Sequence, residues 1–286
     1  MNIKKNHIVE PNHGKRFLMD FRIPEGQKNL PLVIFVHGIK GFKGWGTWDL
    51  IGEEMASAGH IFVKFNFSHN GTTLENPTAF DDLESFGRNN YMLELADLNA
   101  VIDHCTTHED IASAWDGKHI ALIGHSRGGP ICLIQAANDP RITQILTWAS
   151  VATLDYAWQD PKSMADWKRN GVMYRVNSRT KQGMPLYYQL YQNFIDNKDH
   201  LDSKLAAEKL NIPWLILHGT SDEAVTHEAA KTLLAWGNTA KMDLIEGANH
   251  TFGGKHPFDA QELPAHSTAL IQRTILFLTS SKQSQQ

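Results

Sequence analysis

Short apolar runs recur along the chain, separated by polar and glycine-containing stretches. Residues 32–36 (LVIFV) are continuously apolar and rich in β-branched side chains, the pattern of a strand covered on both faces. Residues 61–67, 120–123, 142–148 and 214–217 read the same way, and 241–245 form a shorter, more polar version. Helical periodicity falls between the runs. Trp48, Ile51, Met55 and Ala58 share one helical face, with Thr47 placed to cap its start. Tyr91, Leu95, Leu98 and Ile102 repeat the stripe, and residues 128–138, 226–236 and 265–278 supply three further helices. Strands alternating with helices predict a mostly parallel, doubly wound α/β sheet covered on both sides. Residues 7–30 are expected to form an antiparallel lead-in that turns through 24–31, and the tail 279–286 reads as disordered polar sequence.

One segment breaks the rhythm. Residues 152–211 contain no clear apolar strand but carry Trp158, Trp167, Tyr174, Tyr187, Tyr188, Tyr191 and Phe194. Such a stretch is too long for a simple connection, so it is expected to be a cap inserted into a single domain spanning residues 1–286. Its aromatic side chains have two roles open to them: gripping a substrate, or filling a small core of the cap.

Composition narrows the class. The 286 residues are 42% hydrophobic and 20% charged, ordinary for a globular protein. A net charge of -4 leaves no basic footprint for nucleic acid and no polybasic stretch for a membrane surface. No apolar run reaches the ~18 residues of a membrane span, and the first residues lack the apolar core of a signal peptide. Two cysteines, Cys105 and Cys132, fall in different helical patterns and are expected to be buried thiols rather than a bridge. These features predict a cytoplasmic enzyme with a small-molecule substrate.

The apolar strands end in similar punctuation. LVIFV runs into His37-Gly38, residues 120–123 into Gly124-His125-Ser126, and 214–217 into His218-Gly219. Open parallel sheets bind ligands at the carboxyl ends of their strands, so three glycine-marked ends predict one shared site. Gly124-His125-Ser126-Arg127-Gly128 fits G-x-S-x-G between a strand and a helix, which is the context that motif demands. A chance match in a chain of this length is expected about 0.1 times. The serine hydroxyl needs a base, and the base an orienting carboxylate. Asp222 and His250 each follow a strand and complete the order Ser, Asp, His, with Glu223 the rival acid.

Fifteen histidines compete for the role of base. His37 and His218 read as loop-shaping residues beside glycine, His125 as pointing away from its serine neighbour, and His256 and His266 as surface. His104 and His108 have the i, i+4 spacing of a zinc pair, but no third ligand accompanies them in the sequence, so a solvated helix end is expected. No metal or cofactor is expected. Lys40, Lys43 and Arg127 are placed to bring positive charge towards the mouth of the site, although solvated loop charges are the commoner case.

Together, HGIKG, GHSRGG, HGTSDEAV and GANH resemble the α/β-hydrolase superfamily over roughly residues 30–278, with the insertion where that superfamily carries its cap. HGIKGFKGWGTW is most similar to the esterase and dienelactone-hydrolase-like or prolyl-oligopeptidase-like branch, which includes bacterial cinnamoyl and feruloyl esterases. The resemblance implies an oxyanion hole formed by the backbone N–H groups of Ile39 and Arg127. There is no H-G-G-G loop, and the nucleophile is neither cysteine nor aspartate, which leaves acyl transfer; the first expectation is hydrolysis of an ester. A peptidase, amidase or thioesterase with the same triad is a second expectation, and a non-catalytic binding protein of this fold a third.

Overall fold

The computed structural model describes residues 1–158 and 160–283. Its strands are β1 (Asn2–Val9), β2 (Phe17–Ile23), β3 (Leu30–Val36), β4 (Ile61–Phe65), β5 (Trp115–His125), β6 (Ile142–Trp148), β7 (Val172–Val176), β8 (Gly183–Tyr187), β9 (Trp214–Gly219) and β10 (Ala240–Ile245). The helices are α1 (Trp48–Ser57), α2 (Leu83–Arg88), α3 (Tyr91–Thr107), α4 (Glu109–Ala112), α5 (Gly128–Asn138), α6 (Pro161–Asn170), α7 (Gln189–Asp196), α8 (Ser203–Lys209), α9 (Glu228–Trp236) and α10 (Ala265–Gln283).

The continuous apolar runs lie in a sheet whose two faces feed separate cores. In β3, Leu32, Ile34 and Val36 join one core with α3, α5 and α9, while Val33 and Phe35 join the other with α1 and α10. This explains why these strands read as solid rather than alternating apolar sequence. The sheet has the order β1-β2-β4-β3-β5-β6-β9-β10 and is parallel from β4 to β10, with β1 and β2 antiparallel at one edge. Every parallel strand therefore delivers its carboxyl end to the same side. Cys105 and Cys132 are free and buried, and burial raises both thiols above their ordinary range.

Several expectations are corrected. The lead-in begins at Asn2, and its hairpin turn lies at residues 10–16; residues 24–29 instead carry the chain from β2 to β3. Thr47 precedes α1 but makes no side-chain cap, and its hydroxyl is buried without a partner. Helix α10 continues through Gln283, so 279–283 are helical; the rest of the expected disordered tail, 284–286, lies outside the described residues. The aromatic insertion contains a two-stranded antiparallel sheet, β7–β8, between α6 and α7.

The rings of the insertion pack on the main body. Trp158 lies against Trp167, Tyr191 and Phe194, and Tyr91 of α3 meets both Trp158 and Phe194 at centroid distances of 6.0 and 6.2 Å. The Tyr91 hydroxyl donates to the Leu154 carbonyl at 2.7 Å. These aromatic side chains act mainly as core.

A buried ionic network underlies the β3–α1 loop. Asp20 accepts from Lys43 Nζ at 2.6 Å, Lys64 Nζ at 3.0 Å and the Asn6 N–H at 2.8 Å. Lys64 Nζ also donates to the Lys43 carbonyl at 2.7 Å and lies 2.8 Å from Asp49, which pairs with Arg22 at 2.6 Å. Burial opposes ionisation of Asp20, but Lys64 and Lys43 outweigh it and hold the carboxyl below its ordinary range. Its contribution is therefore present at neutral pH and lost as the solution is acidified through that lowered value. Removing one member leaves buried charge uncompensated. Asp20→Asn is expected to lower unfolding stability at pH 7 by ~3–5 kcal/mol, measured as a shift in denaturant midpoint; an unchanged midpoint would show that the lysines find other partners.

Candidate active site

The turn from β5 into α5 places Ser126 at the carboxyl edge of the sheet with φ 56°, a left-handed conformation that non-glycine residues seldom adopt. The turn is pinned by Ser126 N–H donating to the Trp148 carbonyl at 2.9 Å. A β-carbon on Gly128 would meet the Val36 carbonyl oxygen at 2.3 Å, so α5 approaches the end of β3 only because that position carries no side chain.

His250, on the loop after β10, faces the serine with its Nε2 3.1 Å from Ser126 Oγ. Its Nδ1 lies 2.8 Å from Asp222 Oδ2 on the loop after β9. Asp222 Oδ1 accepts the backbone N–H groups of Ala224 and Val225, both at 2.9 Å. Burial works against ionisation of Asp222, yet the hydrogen bonds from His218, His250 and the Val225 N–H prevail and hold it well below the carboxylate range. The three residues singled out in the sequence thus form one hydrogen-bonded series; Glu223 is exposed and takes no part in it.

The backbone segments expected to bind an oxyanion flank the serine. Gly38 sits so close that a β-carbon there would lie 2.8 Å from Ser126 Cβ, and Ile39 lines the adjoining cavity. Arg127 immediately precedes α5 as its N-cap residue, but its side chain is turned into the protein. It donates to Glu94 and lies over the Tyr91 ring at 5.6 Å. Lys43 is likewise consumed by Asp20. Of the three cations expected near the mouth, Lys40 alone lines the cavity, joined there by Arg179 from the insertion.

That cavity, of about 360 Å³, is bounded by Gly38, Ile39, Lys40, Trp45, Trp48, His125, Ser126 and His250, and from the insertion by Tyr156, Asn177, Ser178 and Arg179. The insertion residues carry no motif, so only the fold brings them to the site.

Three histidines assigned lesser roles hold the loops in place. The His37 ring lies between the Gly38 carbonyl, 2.8 Å from Nδ1, and the Phe67 N–H, 3.4 Å from Nε2. His218 Nε2 donates to the Val225 carbonyl at 2.8 Å and lies 3.3 Å from Asp222 Oδ2, bracing the acid loop. His125 does not point away from the site. Its Nε2 donates to the His250 carbonyl at 2.9 Å, and the two rings are 4.9 Å apart. Burial lowers His37 to about 4 and His125 to about 3, so both are neutral wedges. His256, expected at the surface, is half-buried and accepts the Gly46 N–H at 3.1 Å. No helix among the described residues is long and apolar enough to cross a membrane.

Comparison with known proteins agrees with this architecture. The 2,6-dihydropseudooxynicotine hydrolase of Paenarthrobacter nicotinovorans is 26% identical over 206 residues; the match takes in 71% of this chain and 47% of that protein, so this chain spans about half the length of its relative. Est1E from Butyrivibrio proteoclasticus with ferulic acid bound superposes with a TM-score of 0.70 at 17% identity, covering 97% of this chain and 99% of that one. A dienelactone hydrolase from Anabaena variabilis gives a TM-score of 0.62 at 14% identity, covering 98% and 99%. At these identities the superpositions speak for the fold. The model of the alpha/beta hydrolase family matches residues 33–261, and the chain belongs to that family.

Proposed function

We propose that this chain hydrolyses carboxylic esters of small or medium-sized substrates through an acyl-enzyme on Ser126. The observation that carries this reading is the hydrogen-bonded series Asp222, His250, Ser126 opening onto a cavity. His250 Nε2 takes the Ser126 proton as Oγ attacks the ester carbonyl, and Asp222 stabilises the imidazolium so formed. The oxyanion is received by the N–H groups of Ile39 and Arg127, donors whose worth is typically ~10²–10³ in rate. The carbon–oxygen bond to the leaving alcohol breaks as His250 returns the proton to it. Water then attacks the acyl-enzyme, again losing a proton to His250, and the acid leaves with Ser126 restored.

In this reading residues 152–211 act as a cap. Tyr156, Asn177, Ser178 and Arg179 would contact the substrate, and the cationic Lys40 and Arg179 would favour esters carrying an acidic group. Ferulic acid in the related Est1E fold makes hydroxycinnamoyl esters a reasonable first class to assay. The buried free thiols Cys105 and Cys132 suit a reducing cytoplasm.

A panel of p-nitrophenyl esters of increasing chain length, hydroxycinnamoyl esters and an aminoacyl p-nitroanilide tests the assignment. Ester turnover is expected to exceed anilide turnover. Ser126→Ala should lower ester kcat by ~10⁶-fold and Asp222→Asn by ~10⁴-fold, with Glu223→Gln close to wild type; activity surviving in Ser126→Ala rejects the mechanism. Rate should fall on acidification with the slope of a single ionisation, because protonated His250 cannot accept a proton while His37 and His125 stay neutral to lower pH and Asp222 stays charged. A pH–rate profile with a slope of two would contradict that assignment. Gly38→Ala, which sets a methyl group against Ser126, should cost ~10²-fold in kcat and lower the melting temperature as an overpacked site does; full activity would mean the loop yields freely.

A further inference from the structure

The i, i+4 pair His104 and His108 near the end of α3 has a third histidine beside it. His7 of β1 faces them, and one ring nitrogen from each of the three lies within 4.8 Å of the other two. The ring centroids are 4.7, 4.7 and 4.8 Å apart, and all three residues are half-buried. His104 Nε2 and His108 Nδ1 are buried without any hydrogen-bond partner. Three clustered imidazoles, two of them with an idle buried nitrogen, make a poor core filler, since each unsatisfied nitrogen costs free energy.

A backbone device aims His7 at the pair. Lys4 is paired with Phe21 and His7 with Met19, so Lys5 and Asn6 together oppose Asp20 in a β-bulge. Asn6 has φ 57°, and its N–H is held by Asp20. Side chains alternate faces along a strand, so without the extra residue His7 would point away from the face carrying Lys4 and Phe21. With it, His7 meets Phe21 at 6.0 Å, and the same Phe21 ring supports His108 at 6.1 Å.

We propose that His7, His104 and His108 form a binding site for a divalent transition metal of the zinc class, pinning the edge strand β1 to the end of α3. Such a metal takes imidazole nitrogens at ~2.0–2.1 Å, which requires ligand atoms roughly 3.3 Å apart, a closure within reach of small side-chain rotations. Asp110, 3.9 Å from Lys4 Nζ, offsets the charge of that lysine near the cluster. The role is structural rather than catalytic. Glu94, which pairs with Arg127 beside the nucleophile, lies on the same helix ten residues before His104, about 15 Å away by helix rise.

The test uses the full-length, tag-free chain stripped with chelator, titrated with Zn²⁺ by calorimetry and with Co²⁺ by visible absorption. One equivalent should bind, with a rise in melting temperature and the ligand-field bands of a low-coordinate nitrogen site. His7→Ala and His104→Gln should each weaken Zn²⁺ binding by more than the roughly 10–100-fold lost with an outer-shell partner. Both should abolish the metal-dependent rise in melting temperature and leave ester turnover unchanged, which also reports that they fold. His13→Ala, at a separate histidine pair with His69, should bind as wild type does. Absence of saturable binding at one equivalent, or unchanged affinity in both His7→Ala and His104→Gln, overturns the proposal.

Discussion

Between the end of β3 and the start of α5 there is no room for a β-carbon, and the rest of the site is arranged around that fact. Gly128 brings α5 against the Val36 carbonyl, Gly38 lies against Ser126, and a β-carbon on Gly124 would fall 2.4 Å from the Gly128 carbonyl oxygen. This backbone-to-backbone contact holds the serine in a left-handed conformation that an unconstrained chain would relax. Because the turn is rigid, the loops after β9 and β10 need only bring Asp222 and His250 to a fixed target.

Those loops are rigid for a different reason. Each of the three strand ends facing the serine carries a buried histidine, His37, His125 or His218, that reaches a loop carbonyl. An ordinary hydrogen bond of this kind contributes only ~1 kcal/mol net. Its structural effect is larger, because a donor that lost its carbonyl here would be stranded away from water. Beneath the β3–α1 loop, Asp20 with Lys43 and Lys64 does the same work with full charges. Polar groups inside the carboxyl edge thus set positions, while the two apolar cores below supply most of the stability.

What could be read from the sequence follows from these two layers. Strands β3, β5, β6 and β9 were legible because burial on both faces forces unbroken apolar runs, and Ser126 and Asp222 because each sits just past such a run; His250 follows the more polar, partly buried β10 and was marked by the order Ser, Asp, His. Strand β1 was only partly legible, being mostly exposed with a bulge at Lys5 and Asn6 that hides its alternation. The β7–β8 hairpin escaped because Val172–Val176 is exposed or half-buried and Pro185 interrupts its partner. The fates of Lys43 and Arg127 were not legible at all. A charge on a loop near a site reads the same whether it faces substrate or a buried carboxylate from a distant element, and here Asp20 and Glu94 decide. His7 escaped as a companion of His104 and His108 for the same reason, since only the folded edge of the sheet makes them neighbours.

The placement of the insertion has a consequence for how such a chain can change over generations. It leaves the sheet after β6 and returns at β9, and these two strands are adjacent and parallel. Lengthening, shortening or exchanging the intervening residues therefore shifts no strand register and leaves Ser126, Asp222 and His250 on strand ends outside the exchanged segment. The walls of the cavity at Tyr156, Asn177 and Arg179 can therefore be rebuilt while Ser126, Asp222 and His250 keep their relative positions.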